Sequence, residues 1–81
     1  MEKITQLRVL DDYRLEIFFN DGVHGVISLS DRLFGPVFEP LKDVSFFSKA
    51  KVDEFGVVTW PNGADLAPDA LYERLRTFEV N

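Results

Sequence analysis

Trp60-Pro61-Asn62-Gly63-Ala64-Asp65 gathers an indole, an amide and a carboxylate in one short stretch, with Tyr72 a little further on. Side chains of these types can make a small recognition surface, with Trp60 as an anchor. A shallow site around Trp60, Asn62, Asp65 and Tyr72 is the arrangement by which this chain would bind a small ligand or act as an enzyme. The same residue types also build turns. Pro presets φ, Asn-Gly accepts positive φ, and Asp takes backbone N–H bonds near a helix entry. Turn chemistry demands these residues whatever the function, so the segment reads first as a turn.

Other chemistry-bearing residues form no set. His24 is the single histidine, and strand parity puts it with Val26 and Ser28 on the face opposite the expected core. Without a second imidazole for a zinc set it reads as an ordinary exposed histidine. Asp11-Asp12, Asp53-Glu54 and Asp65-x-x-x-Asp69 are carboxylate pairs, but none follows a calcium-loop spacing, and polar turns and a helix start account for them. Gly22 and Gly25 give only G-x-x-G, too little for a phosphate loop. There is no cysteine, which removes thiolate nucleophiles, sulfur-ligated zinc and disulfides together. No serine lies in a nucleophile-elbow context. The chain is therefore expected not to be an enzyme, and no cofactor or metal is implied.

The elements that must position these residues come from a single 81-residue domain, spanning 1–81. Apolar residues make up 46 % and charged residues 28 %, a globular balance. A chain this short hides only roughly 60–65 % of the surface its unfolded form exposes. With no disulfide, eight Phe, two Tyr and one Trp must supply the core. No apolar stretch approaches the ~20 residues of a membrane span. The lack of cysteine and of an apolar leader fits a cytoplasmic protein. Nine Lys and Arg face 14 Asp and Glu, for a net charge of −5. The basic residues are scattered, so nucleic acid is a poor partner and a basic protein a better one.

Residues 4–10 read as a strand ending at Asp11-Asp12. Tyr13, Leu15, Ile17 and Phe19 alternate with Arg14, Glu16 and Phe18, which predicts a second strand with one buried face. Asn20-Asp21-Gly22 makes a hairpin loop into a third strand, with Val23, Gly25, Ile27 and Leu29 on one face. Ser30 and Asp31 open a short helical element that Gly35-Pro36 stops. Residues 37–48 lack a clean period and read as an ordered loop with a helical turn after Asp43. Residues 49–53 and 56–60 form a second hairpin. Pro68 begins a helix to about residue 77, with Leu71, Leu75 and Phe78 as its apolar stripe. The fold class is α+β: a three-stranded antiparallel meander, a second hairpin, and a C-terminal helix packed on the sheet.

Phe18 lies on the face of the second strand opposite Leu15 and Ile17. With Val26, and with Phe46 or Phe47 beside it, it would make an apolar patch for a partner or for a homodimer. A domain this small needs burial, which favours the loop 37–48 folding over that face instead.

Tyr13-x-Leu15-x-Ile17-x-Phe19-x-Asp21-Gly22, then Phe38-x-x-Leu41 and Phe46, then Trp60-Pro61-Asn62-Gly63-Ala64-Asp65-Leu66-Ala67-Pro68 with Leu71-Tyr72, together resemble a small bacterial family known as domain of unknown function 2442. The resemblance covers almost the whole chain. It implies an α+β fold of short antiparallel strands with a C-terminal helix, and no established activity or catalytic residues. Some relatives carry a helix-turn-helix half that these 81 residues do not contain. Others are encoded beside small proteins suspected of being toxins. The expected function is a non-catalytic interaction or regulatory module acting on another protein, small and basic in its antitoxin-like form. Trp60, Asn62, Asp65, Tyr72 and Phe18 are the candidate surface.

Overall fold

The computed structural model describes residues 2–80, with the side chains of 77–80 excepted. Strands β1 (Ile4–Leu10), β2 (Arg14–Phe19) and β3 (His24–Ser28) form an antiparallel sheet in that order. Leu7 faces Ile17 and Val9 faces Leu15 across β1 and β2; Ile17 faces Gly25 and Leu15 faces Ile27 across β2 and β3. Because alternate residues share a face, this register collects the apolar set on one side. Leu15, Ile17, Phe19, Ile27 and Leu29 are buried there.

A second antiparallel sheet follows, of three two-residue strands: β4 (Lys51–Val52), β5 (Val58–Thr59) and β6 (Asp65–Leu66). The predicted second hairpin is therefore present, shorter than its sequence pattern and extended by β6. Its first turn is organised by Asp53, whose carboxylate accepts the N–H groups of Phe55 (2.9 Å) and Val57 (3.0 Å). Such local side-chain bonds end a strand early, since they offer the backbone a competing partner.

Between the sheets, a 3-10 turn (Glu39–Lys42) leads into the single turn α1 (Val44–Phe47), capped by the Asp43 carboxylate accepting from the Ser45 N–H at 2.9 Å. The helical turn expected after Asp43 is thus observed. The one expected at Ser30–Asp31 is not. A lone bond from the Arg32 N–H to the Leu29 carbonyl (2.9 Å) bends the chain. Beyond it the backbone runs irregularly so that Leu33 enters the core while Phe34 turns outward.

Helix α2 (Pro68–Val80) runs past the predicted end at 77. It packs on β3 through Leu75, with Leu71 buried a turn earlier. Phe78, the third residue of the predicted stripe, lies outside the described side chains. A Cβ at Gly25 would stand 2.6 Å from Leu75 Cδ2, so glycine permits this approach.

The core is one cluster, closed by the first sheet on one side and by Leu41, Phe47, Val58, Trp60, Leu71 and Leu75 on the other. The expectation that the loop 37–48 covers the outer face of the first sheet is corrected. Leu41 and Phe47 pack on the inner face with Leu15 and Ile17. The inner face offers contiguous aliphatic surface, whereas the outer one carries Arg8, Arg14 and Glu16, whose charged ends need water.

The two sheets meet at Gly56, whose carbonyl accepts the Ile4 N–H at 3.1 Å. Gly56 has φ +77°, and a Cβ there would stand 2.8 Å from Lys3 Cβ and 3.1 Å from the Ile4 nitrogen. Gly56→Ala therefore combines a left-handed penalty of about 1–2 kcal/mol with overpacking against backbone, for a total of roughly 2–4 kcal/mol. Gly25→Ala meets only the movable end of a leucine and is expected to cost less than about 1.5 kcal/mol. Urea unfolding of the two variants measures the difference.

Candidate functional site

The turn that looked most like a site is built into the core. Trp60 is 3 % exposed, and its indole Nε1–H donates to the Phe47 carbonyl at 2.9 Å. The Trp60 N–H bonds the Ala64 carbonyl (2.9 Å) and the Gly63 N–H the Trp60 carbonyl (3.0 Å), so Pro61-Asn62-Gly63 is the hairpin turn joining β5 to β6. Asn62 is used at both ends of its amide. Nδ2–H donates to the Val37 carbonyl at 2.9 Å and Oδ1 accepts the Ala64 N–H at 3.2 Å. Asp65 lies on β6 opposite Thr59 and is exposed. The backbone bond expected of it near the helix entry is made instead by Asp69, whose carboxylate accepts the Ala70 N–H at 3.0 Å. Trp60 is thus corrected from a surface anchor to a core residue. Its ring is withdrawn from solvent, and Asn62 is committed to main-chain groups.

Tyr72 stands apart from that turn. Its ring meets Phe19 edge-on, centroids 5.0 Å apart, and its hydroxyl donates to the Asp21 carboxylate in the β2–β3 loop. Asp21 also accepts the Val23 N–H at 3.0 Å. The Tyr72 hydrogen bond, with the Val23 N–H second, holds the Asp21 carboxyl below its ordinary value of 3.8. The same bond, with desolvation second, pushes the Tyr72 phenol above 10.0. One contact therefore clips α2 to the hairpin it crosses, joining two residues 51 positions apart.

Phe18 and His24 remain on the uncovered outer face, stacked with centroids 5.3 Å apart and planes 22° apart. Beside them Arg8 and Glu16 pair at 3.4 Å, and Val26 is exposed. Among the described residues no three His, Cys, Asp or Glu side chains gather as a metal site would require. No described helix is long and apolar enough to cross a membrane.

The β1–β2 connection is the turn expected at Asp11-Asp12, with a backbone that the turn signal does not specify. Asp12 (φ 63°) and Tyr13 (φ 58°) are both left-handed, a conformation that non-glycine residues adopt at a cost of about 1–2 kcal/mol each. Tyr13 was expected to open the second strand; β2 begins instead at Arg14. Three contacts hold Tyr13 there. Its carbonyl accepts the Leu29 N–H (2.8 Å), its hydroxyl donates to the Lys42 carbonyl, and its ring meets Phe47 edge-on at 5.3 Å. A groove of about 560 Å³ opens between this turn and α1. Val9, Leu10, Tyr13, Val44 and Phe47 form its apolar walls, with Asp11 and Asp12 at the rim. Nothing local marks it, since Tyr13 continues the alternation of the strand that follows.

Residues 4–77 match the family described as Protein of unknown function (DUF2442). The chain belongs to this family. No curated protein and no solved structure matches it. Of the DUF2442 residues that carried the resemblance, Leu15, Ile17, Phe19, Leu41, Trp60 and Leu71 are buried, Asp21, Asn62 and Tyr72 make the bonds above, and Asp65 is exposed.

Trp60→Phe removes the indole donor and leaves the Phe47 carbonyl with the Ala50 N–H, at 3.2 Å, alone. A loss of roughly 1–3 kcal/mol is expected in urea unfolding, from the lost hydrogen bond and the smaller ring. The Asp21–Tyr72 contact predicts a pH profile. A lowered carboxyl contributes stability above pH 3.8 that disappears as the pH falls through its folded value. A raised phenol contributes stability below pH 10.0 that disappears as the pH rises through its folded value. Tyr72→Phe should therefore flatten both the acid and the alkaline limbs of thermal stability against pH, measured relative to the unsubstituted protein.

Proposed function

We propose that this DUF2442 protein is a non-catalytic interaction module, an accessory or regulatory protein that acts through its surface on another protein. One observation carries the proposal: most of the candidate site residues are committed to the fold, while large apolar side chains face solvent. Trp60, Asn62, Asp21 and Tyr72 are engaged as described, and Trp60, Asn62, Asp65 and Tyr72 do not converge on a site. Phe34, Val44 and Phe55 are 69, 69 and 68 % exposed. Apolar surface of this kind favours association over solution. At a net charge of −5 the partner is a basic protein, since opposite charge speeds encounter and like charge repels nucleic-acid phosphate. An antitoxin-like role toward a small basic protein is the specific form this takes, and the cysteine-free composition suits a cytoplasmic setting.

Recovery of the tagged chain from its native cells at low salt, followed by size-exclusion chromatography, tests the proposal. One protein should co-elute in a fixed ratio, re-form the complex from separately purified components, and dissociate as salt is raised. Recovery of the chain alone, as a monomer at every salt concentration, would overturn it.

A further inference from the structure

We infer that the groove between the β1–β2 turn and α1 is the docking site for an extended, basic and apolar segment of the partner protein, which adds as a strand to the open edge of β1. This rests on the interaction-module proposal and gives it a location and a partner chemistry.

The hydrogen-bond ladder supplies the first reason. Phe19 N–H bonds the Val23 carbonyl and Leu29 N–H the Tyr13 carbonyl, so the odd-numbered residues of β2 exchange main-chain bonds with β3. The even-numbered ones, Arg14, Glu16 and Phe18, are then the ones bonded to Leu10, Arg8 and Gln6 of β1. That parity turns the N–H and C=O of Leu7 and Val9 to the outer edge of the sheet. The β-bulge between Ile4 and Gln6 brings the Ile4 N–H to the same edge, where Gly56 accepts it. Beyond that bond, Leu7 and Val9 have no main-chain partner on this side among the described residues. β4 packs against β1 without hydrogen-bonding to it, so the main-chain groups of Leu7 and Val9 stay available to a further strand.

Side-chain chemistry supplies the second reason. Val9, at the open end of that edge, is also a wall of the apolar groove, and the exposed Val44 stands opposite it. An added strand would turn alternate side chains into the groove. At its rim, neither the Asp11 nor the Asp12 carboxylate has a hydrogen bond or ion pair with a described residue. Arg14 Nε–H reaches the Asp11 carbonyl (2.9 Å) and not its carboxylate. Two unpaired carboxylates beside an apolar trough select lysine or arginine flanking valine-like side chains. The left-handed turn bearing them is held by the three Tyr13 contacts, so the rim is set before binding.

Unpaired backbone groups call for an extended segment rather than a helix. A second copy of this chain would set its own acidic turn and net charge of −5 against the same rim.

The probe is a nine-residue peptide of alternating valine and lysine, titrated into the ¹⁵N-labelled full chain. The Leu7 and Val9 amides should shift and gain protection from hydrogen exchange, together with shifts at Val44 and Ser48. The same peptide with glutamate for lysine should bind at least about tenfold more weakly, since both rim charges then repel it. Asp11→Asn with Asp12→Asn should weaken the lysine peptide about three- to tenfold, and asparagine tolerates the left-handed backbone at position 12. Val44→Asp should abolish binding. Because these side chains are exposed, unfolding midpoints near the unsubstituted value are expected and serve as the folding control.

Shifts confined to the Phe18–His24–Val26 face, equal binding of the glutamate peptide, or a peptide-free dimer paired through β1 in sedimentation would each overturn the site. A partner that co-elutes equally with the unsubstituted and Val44→Asp chains would refute the groove and leave the interaction module standing. Absence of any partner would refute the module, whatever the peptide does.

Discussion

A buried hydrogen bond, from the Trp60 indole to the Phe47 carbonyl, fixes how α1 seats on the second sheet. An indole brought into an apolar core needs an acceptor, and a main-chain carbonyl brought there needs a donor. The Phe47 carbonyl, which also accepts the Ala50 N–H at 3.2 Å, meets the indole only because the end of α1 lies over the second sheet. The Phe47 ring then contacts both Trp60, at 5.8 Å, and Tyr13, at 5.3 Å. A chain of aromatic contacts thus runs from the second sheet through α1 to the β1–β2 turn. In a chain with no disulfide, these rings and the long-range polar contacts do the cross-linking.

The same packing explains why the chemistry suggested by individual residues is absent from the surface. Trp60, Asn62 and Tyr72 are the types that recognition sites use, yet each is occupied: one in the core, one on main-chain groups of the loop before α1, one on the hairpin carboxylate. What is left outward is different. The first sheet keeps an uncovered face, with Phe18 stacked on His24, and the β1–β2 turn keeps two aspartates beside a trough. Surface character here is a by-product of which residues the small core consumed.

Much of the fold was legible because it rests on local periodicity. Alternation in residues 14–19 and 24–28 marks strands that bury one face, and Asn20-Asp21-Gly22 and Pro68 mark a hairpin and a helix start without outside help. The misreadings have a common cause. Ser30–Asp31 carries local helix signals, but Leu33 is drawn into the core and the chain runs on irregularly. β6 is two residues long, too short for any period, and exists because Ala64 and Trp60 bond across the turn. Tyr13 reads as a strand residue, and its left-handed backbone is maintained by contacts with Leu29, Lys42 and Phe47, none of them near it in the chain.

Sequence by itself determined the α+β class, the meander and its buried face, the turn at Pro61-Asn62-Gly63, the acidic charge and the family. Those follow from side-chain period, turn stereochemistry and composition, which act over a few residues or over the whole chain at once. Only tertiary structure decided which side of the first sheet the aromatic loop would cover, that Trp60 would be sealed inside, and that Asp21 would meet Tyr72. It also decided that a groove would open beside Asp11 and Asp12. These depend on long-range pairing between segments whose local patterns permit several arrangements, and burial together with polar satisfaction selects one of them.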